Sequence, residues 1–270
     1  MAKNKGQLQG KVAIVLGAAG KDNMAQVIAR RFVAEGAHVM VAGRKEAPLK
    51  AFAAEIDGAY ALCDITRPDE LKAMVEATVA RFGRLDIAVN ATGWALMSPF
   101  LETSYDDLEK MAKLQFMGPH LFMQAVIPAM THGGSIIQIS SATATIMLFN
   151  HAAYMGAKAG ADHIVRCVAN EFGARGIRAN SISPGLTDTP MTGDAMKSPG
   201  LVEAFRKEYP LGRIGTSEDI ADAAVWLSTD GCFMTGQNLQ VNGGLTLRRN
   251  PTFEEVGAAI AADRARTAKA

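Results

Sequence analysis

The apolar run Val12 to Leu16 ends at a glycine turn, Gly17-Ala18-Ala19-Gly20, and apolar residues then recur at helical spacing from Ala25 to Val33. A strand, a glycine turn and a helix in this order place backbone N–H groups and a helix N-terminus around a pyrophosphate. Asn23 lies just before the helix pattern, where its side chain can cap the helix and bond a phosphate. This order predicts a dinucleotide-binding α/β fold, with a plain tight turn as the alternative interpretation of the glycines.

The rest of the chain repeats this alternation of short apolar runs and helical patterns. Further runs that are typical of buried strands begin near these positions: His38, Ala59, Leu85, Ser135, Gly176 and Leu239. Strands that alternate with helices form a parallel sheet with helices on both faces. We therefore predict a doubly wound parallel sheet of about seven strands. A length of 270 residues fits a single domain of this class.

Composition argues against several other classes of protein. Apolar residues make up 49% of the chain and charged residues 20%, and the net charge is +1. This balance is typical of a soluble globular protein and favours neither nucleic acid nor a membrane surface as a partner. Cys63, Cys167 and Cys232 are scattered and lack metal-ligand spacing. We expect buried thiols, no metal site and a reducing, cytoplasmic location.

Tyr154 and Lys158 are four residues apart, so in a helix their side chains lie on one face. A fixed positive charge beside a phenol favours the phenolate and lowers its pKa from about 10, which suits proton exchange with an alcohol. Ser141 follows the buried-strand pattern from Ser135 to Ile139, where its hydroxyl can hydrogen-bond a developing oxyanion. These three side chains are the candidate catalytic residues.

The second strand pattern ends at Gly43-Arg44-Lys45. Enzymes that use NAD usually place an acidic residue here for the ribose 2′-hydroxyl, whereas NADP requires a positive charge for the 2′-phosphate. Arg44 can bind the phosphate with two hydrogen bonds, and Lys45 adds charge. The pair predicts NADP(H), with NAD(H) as the alternative cofactor. A solvated turn with exposed cations is the alternative role of the two residues.

The spacing of Ser141, Tyr154 and Lys158 resembles that of the short-chain dehydrogenase/reductase family. The segment from Gly176 to Gly185 is similar to the family's Gly-Ile-Arg-Val-Asn and Pro-Gly pattern. The glycine loop departs from the usual pattern and is closer to the loop of the divergent branch that contains enoyl reductases. The resemblance implies a single Rossmann-like catalytic domain over residues 8–246, followed by a C-terminal extension over residues 247–270.

The resemblance also implies further cofactor contacts at the ends of strands. These are Asp64, Ile65, Asn90, Pro184, Gly185, Thr187 and Thr189. In the family, the residue at the Asp64 position contacts the adenine, and the two threonines fall where the nicotinamide carboxamide and phosphates are bound. An N-capping turn is the alternative role of Asp64.

A long helix pattern runs from Ser104, the expected N-cap, to about Met130. In the family this helix carries a catalytic Asn that anchors a water linking the lysine to solvent. The equivalent residue here is Gln115, whose side chain is longer by one methylene. We list Gln115 as a candidate proton-relay residue, with a purely structural role as the alternative.

The leading hypothesis from the resemblance is an NADP(H)-dependent oxidoreductase that interconverts a secondary alcohol and a ketone. Alternatives are an enoyl reductase acting on carbon–carbon double bonds, and a non-catalytic protein that senses the dinucleotide. Family members commonly pair their long helices across a two-fold axis, which implies a homotetramer or homodimer.

The sequence does not identify the substrate. Mostly apolar residues are candidates for the pocket wall, and they suit a hydrophobic or aromatic carbonyl. They are Trp94, Leu96, Thr143, Met147, Phe149, His151, Leu186 and Met191. Of these, His151 can bond a substrate oxygen, with a surface or core histidine as the alternative.

Overall fold

The structure, a computed structural model, describes residues 6–268, so the last two residues of the predicted extension, Lys269 and Ala270, lie outside it. Seven parallel strands form one sheet in the order β3-β2-β1-β4-β5-β6-β9. The two remaining strands, β7 and β8, pair with each other. In chain order, β1 to β9 are Val12–Leu16, His38–Gly43, Ala59–Leu62, Ile87–Asn90, Gly134–Ile139, Ile177–Pro184, Thr187–Asp188, Gly215–Thr216 and Asn238–Val241.

Ten α-helices within the described residues connect and cover these strands. In chain order, α1 to α10 are Met24–Ala34, Glu46–Glu55, Pro68–Phe82, Tyr105–Ala112, Gly118–Val126, Ala152–Phe172, Gly193–Met196, Pro199–Arg206, Ser217–Ser228 and Phe253–Thr267. The doubly wound sheet with helices on both faces is thus confirmed as a single Rossmann-like domain.

Strand β1 shows how the two faces are covered. Ala13 and Val15 pack into a core with α1, α2 and α9, whereas Ile14 and Leu16 pack on the opposite face with α3, α5 and α6. Successive side chains of a strand point to opposite faces, so a strand buried on both sides is mostly apolar. This is why β1 appears in the sequence as a continuous apolar run.

The predicted helix from Ser104 to Met130 is divided into segments. Ser104 caps α4, because its hydroxyl accepts the Asp107 N–H at 3.1 Å. A π-helical turn, Lys113–Met117, separates α4 from α5, and a 3₁₀ turn, Ile127–Ala129, follows α5. Pro119 has no N–H to donate to the carbonyl of Gln115 four residues earlier, so the regular α-helical ladder cannot continue through this place.

The residues after β9 pack onto α8. Val256 of α10 joins Phe205 of α8 and Leu245 in a small apolar cluster. A Cβ at Gly200 would lie 2.5 Å from the carbonyl oxygen of Ala259, so glycine is required for the close contact between α8 and α10. The C-terminal segment is therefore packed closely against α8 as part of the fold.

Two further features of the described residues concern membrane-spanning helices and the burial of the cysteines. Within residues 6–268, no helix is long and apolar enough to cross a membrane. Cys63 and Cys232 are buried as expected, but Cys167 is exposed. The expectation was wrong for Cys167 because it lies on the solvent face of α6, between the buried positions Val165 and Val168.

Candidate active site

A cavity of about 280 Å³ opens at the carboxyl ends of the central strands, which is where ligands bind in open α/β folds. Most of its wall is apolar. The sequence-predicted site residues that line it are Asn23, Ser141, Tyr154, Lys158, Pro184, Gly185, Thr187 and Thr189. The candidate catalytic triplet and the nicotinamide-side candidates therefore meet in one space.

Tyr154 and Lys158 lie in the first two turns of α6, and Ser141 closely follows β5. The Lys158 Nζ atom lies 5.7 Å from the centre of the Tyr154 ring and donates a 2.8 Å hydrogen bond to the Ile139 carbonyl. The Ser141 Oγ atom is 2.9 Å from the Thr143 hydroxyl. The i and i+4 geometry expected of the Tyr–Lys pair is present, with the lysine almost fully buried.

Burial dominates the acid–base properties of this pair. It raises the pKa of Tyr154 above the ordinary value, while the Ser141 hydroxyl lowers it and the Asp162 charge raises it further. Burial also lowers the pKa of Lys158 to about 8. The expectation that Lys158 holds the pKa of the phenol below its ordinary range is therefore not met, because desolvation disfavours the phenolate more than its neighbours favour it.

A buried carboxylate lies one helical turn beyond Lys158. Asp162 accepts hydrogen bonds from Ser140 Oγ at 2.9 Å and from Asn238 Nδ2 at 2.5 Å. Burial raises the pKa of Asp162, and Lys158 is among the groups that oppose this shift. Sequence reasoning missed Asp162. Its i+4 spacing from Lys158 was the signal that could have found it.

The Ile139 carbonyl is held from two sides. It accepts Lys158 Nζ and also Gln138 Nε2, both at 2.8 Å. Gln138 in turn accepts Asn90 Nδ2 at 2.8 Å, and the Oδ1 atom of Asn90 accepts two hydrogen bonds from Thr92. Asn90 is 1% exposed, and both its amide nitrogen and its amide oxygen are engaged in these bonds, so it ties β4 to β5 and does not line the cavity.

Side chains as well as the backbone hold the glycine loop in its conformation. Gly17 has φ +110°, and a Cβ there would lie 2.9 Å from the Ala91 carbonyl, so glycine is required. Asn23 caps α1 by accepting Gln26 N–H at 3.0 Å, and its amide donates to the Gly17 carbonyl at 2.8 Å. Gln26, which sequence reasoning missed, donates to the Ala18 carbonyl at 2.9 Å.

This loop retains the features that a dinucleotide requires. Gly20 follows the tight approach at Gly17, and the N-terminus of α1, where a helix leaves N–H groups free, lines the cavity with Asn23, Met24 and Ala25. A pyrophosphate can therefore be held by the loop and by α1 while its nicotinamide end reaches Tyr154. The residues present fit a nicotinamide dinucleotide.

The adenosine end of such a ligand would meet charged residues after β2 and β3. Arg44 and Lys45 are exposed, and the Arg44 guanidinium lies 3.9 Å from the Asp64 carboxylate. Burial acts to raise the pKa of Asp64, but hydrogen bonds from Thr66 and the nearby cations bring it below its ordinary value. Ile65 is 2% exposed and its side chain packs in the core, so only its backbone is available to a ligand.

Gln115 lies in the π-helical turn and is 2% exposed. Its Nε2 atom donates to the Trp94 carbonyl at 2.9 Å. The indole of Trp94 is covered by the Lys110 ammonium, 3.9 Å from the ring centre. The side chain of Gln115 therefore fixes the loop after β4, and it lies behind the cavity wall rather than on its surface.

The predicted pocket wall is partly present. Trp94, Thr143, His151, Leu186 and Met191 line the cavity. Leu96, Met147 and Phe149 do not line it. The loop after β5 turns Met147 to solvent and packs the Phe149 ring edge-on against Phe253 of the C-terminal segment. Sequence reasoning missed these lining residues: Met24, Leu148, Phe205, Leu245 and Asn250.

Known proteins resemble this chain over nearly its whole length. A family model described as enoyl-(acyl carrier protein) reductase matches residues 17–246. D-threitol dehydrogenase of Mycolicibacterium smegmatis is 34% identical over 250 residues, which cover 90% of this chain and 95% of that protein. Trans-4-hydroxycyclohexanecarboxylate dehydrogenase of Sinomonas cyclohexanicum is 34% identical over 263 residues, which cover 93% and 98% of the two chains.

A solved structure agrees with these sequence matches. A short-chain type dehydrogenase/reductase from Mycobacterium ulcerans superposes with a TM-score of 0.87 at 32% identity, covering 92% of this chain and 94% of that one. Matched sequence, matched fold and the convergence of Ser141, Tyr154 and Lys158 on one cavity lead to the same assignment. The chain is a member of the short-chain dehydrogenase/reductase family, whose oxidoreductases use a nicotinamide dinucleotide.

Proposed function

We propose that this protein is an NADP(H)-dependent oxidoreductase that interconverts a secondary alcohol and a ketone. The observation that carries the proposal is the meeting of Ser141, Tyr154 and Lys158 at one cavity with an apolar wall. Relatives named as dehydrogenases of a polyol and of a hydroxycyclohexane acid support alcohol chemistry. The dinucleotide, when bound, supplies or accepts the hydride.

The residues of this chain would handle the oxygen and its proton. In the reductive direction, the Ser141 and Tyr154 hydroxyls donate hydrogen bonds to the substrate carbonyl oxygen and hold it in place. As negative charge develops on that oxygen, the Tyr154 O–H bond breaks and its proton moves to the oxygen, which leaves a phenolate. The nearby Lys158 ammonium stabilises this phenolate. Oxidation runs the same steps backwards.

A phenol whose pKa is raised by burial suits the reductive direction at neutral pH. Tyr154 stays protonated and so holds the proton that the product alcohol needs. For oxidation, the phenol must first lose that proton, which becomes easier as the pH rises. We therefore expect alcohol oxidation to be favoured by alkaline conditions and ketone reduction by neutral ones.

The preference for NADP(H) is supported by charge at the adenosine end. Arg44 and Lys45 are exposed at the end of β2, where the 2′-phosphate of NADP would lie. The ion pair between Arg44 and Asp64 is long, at 3.9 Å, so the guanidinium can turn to a phosphate without breaking a close hydrogen bond. Asp64 lies beyond β3 rather than at the β2 position used for a ribose hydroxyl.

Reduction of a carbon–carbon double bond is the second candidate. It is favoured by the enoyl reductase description of the matching family model and by the glycine loop. Against it, Tyr154 and Lys158 are only four residues apart and share one face of α6, whereas the enoyl-reductase branch spaces its Tyr and Lys more widely.

One assay separates these candidates. Loss of NADPH absorbance is followed with ketones, enones and quinones, with NADH in parallel and Tyr154→Phe as the matched control. We expect turnover of ketones by the wild type with NADPH. Turnover of enones alone would assign the second candidate, and dinucleotide binding with no turnover of any carbonyl would contradict both enzymatic functions.

A further inference from the structure

We infer that the substrate carries a second hydroxyl group besides the reacting oxygen, and that this hydroxyl donates a hydrogen bond to His151 or to Asn250. The inference rests on the proposed function and narrows its substrates from secondary alcohols and ketones in general to diols and hydroxyketones. Both residues line the cavity that holds Tyr154. The His151 and Tyr154 rings are 6.3 Å apart, centre to centre, in an edge-on arrangement.

The hydrogen bonds of His151 fix which ring nitrogen is free. Its Nδ1 atom is 2.7 Å from the carbonyl oxygen of Phe149. A carbonyl oxygen can only accept, so Nδ1 carries the hydrogen and donates it. In the neutral imidazole the other nitrogen, Nε2, is then an acceptor, and it has no protein partner among residues 6–268. His151 therefore offers the cavity an acceptor.

Asn250 provides a second hydrogen-bond acceptor at the cavity. Its Nδ2 atom donates to the Met147 carbonyl at 3.0 Å, which fixes the orientation of the amide. The Oδ1 atom makes no hydrogen bond to any residue that the structure describes. Asn250 is 6% exposed although residues 247–249 before it are exposed, so the chain turns inward at this point and places the amide against the cavity.

Two acceptors in a mostly apolar wall discriminate between ligands. A substrate with only hydrocarbon beside its carbonyl would leave Oδ1 of Asn250 and Nε2 of His151 desolvated and unpaired, which opposes binding. A hydroxyl group donates to one of them and restores the lost hydrogen bond with water. Sites that hydrogen-bond a substrate hydroxyl reject analogues that lack it.

The test compares matched alcohols oxidised with NADP⁺. The probes are cyclohexanol against the 1,2-, 1,3- and 1,4-cyclohexanediols, and butan-2-ol against butane-2,3-diol. For the wild type we expect kcat/KM of the best diol to exceed that of its mono-alcohol by about tenfold or more. The variant that removes the acceptor in use, Asn250→Ala or His151→Phe, should reduce this ratio by about threefold to tenfold.

Asn170, exposed near the end of α6, provides the matched control, and Asn170→Ala should keep the wild-type ratio. If Asn250→Ala does not fold, His151→Phe tests the same inference from the other acceptor. Equal kcat/KM for mono-alcohols and diols in the wild type would overturn the inference and leave the proposed function intact. A ratio unchanged in both variants would overturn the roles of the two residues. Turnover of none of these alcohols would contradict the proposed function, and this inference with it.

Discussion

The Asp162 carboxylate lies one helical turn beyond Lys158 on the same buried face of α6, and its charge raises the pKa of the lysine against the burial that lowers it to about 8. Ser140, directly after β5, and Asn238 of β9 hold this carboxylate. Through Asp162, the charge state of the lysine depends on side chains from two other parts of the chain.

Asp162→Asn should therefore move the pH dependence of the enzyme. Removing the carboxylate removes an influence that raises the pKa of Lys158, so that pKa falls below about 8 and the ammonium loses its proton at lower pH. We expect the alkaline decline of kcat/KM for ketone reduction to shift to lower pH by about one unit. Full pH–rate profiles with saturating NADPH measure the shift.

The amide introduced by Asp162→Asn would preserve an oxygen acceptor for Ser140, which separates charge from packing in this experiment. Asp162→Glu is the conservative comparison, because it restores the charge and should restore the alkaline limb. A profile for Asp162→Asn that overlays the wild type would show that the carboxylate does not act on Lys158.

Tyr154→Phe removes the hydroxyl while the ring keeps its contacts on α6. We expect NADPH affinity to stay nearly intact while kcat falls by about 10²- to 10⁴-fold, the usual cost of losing a positioned proton donor. Lys158→Met should reduce both, since it removes the charge and the bond to Ile139. Fluorescence titration and steady-state kinetics measure binding and turnover separately. Full activity in Tyr154→Phe would eliminate the proposed mechanism.

Arg44→Asp combined with Lys45→Ala should reverse the cofactor preference. The double variant loses charge-assisted bonds to the 2′-phosphate and adds repulsion, which we expect to weaken NADPH by about 2 to 4 kcal/mol. NADH binding should change much less. Comparing kcat/KM for both dinucleotides checks this, and a wild type that prefers NADH would contradict the NADP assignment from the start.

Gln115→Ala distinguishes a proton relay from a structural contact. If the amide holds a relay water, kcat in the reductive direction should fall mainly at high pH, where resupply of protons limits, with little change in KM for the cofactor. If the bond to the Trp94 carbonyl is its only role, KM for the ketone should rise at every pH because the loop after β4 loosens. A wild-type rate at all pH values would remove Gln115 from the mechanism.

The protein should form dimers or tetramers through α4 and α6. Large apolar side chains are exposed along α4, its preceding loop and the π turn, namely Phe100, Leu101, Tyr105, Leu108, Phe116 and Met117. Isologous packing across a two-fold axis would bury them. Sedimentation velocity at micromolar concentration measures the assembly, and Leu108→Glu, which places a charge in the apolar face, should shift it toward monomers. A wild-type monomer would reject the interface.

The fold was predictable because its signals are local. Val12–Leu16 is apolar at every position and is followed by a glycine turn, and Tyr154 and Lys158 need only a helix to come together. Ser104 was identified as an N-cap from its sequence alone and caps α4 in the structure. Each of these features depends on residues within one or two turns of the chain.

Two of the parts that sequence reasoning missed are held by distant partners. Asp162 is held by Asn238, 76 positions away, and Asn250 by Met147, 103 positions away. Nothing in the neighbourhood of either residue predicts which element will lie against it, since that follows from the order of strands in the sheet. The effect of burial on the pKa of Tyr154 was missed for the same reason. The position of Lys158 follows from the local sequence, whereas the desolvation of the phenol depends on which elements pack around it.

The π-helical turn Lys113–Met117 lets the chain carry one extra residue at this place. A π turn holds one residue more than the α turn it replaces, and one residue in an α-helix corresponds to a rotation of about 100°. An extra residue that kept α-helical geometry would therefore rotate α5 relative to α4, and either Phe122 would leave the core or the exposed apolar face of α4 would change direction. The π turn takes up the extra residue within one turn, so both faces keep their directions. Deleting one residue here should thus disturb the protein less than deleting one residue inside α4 or α5.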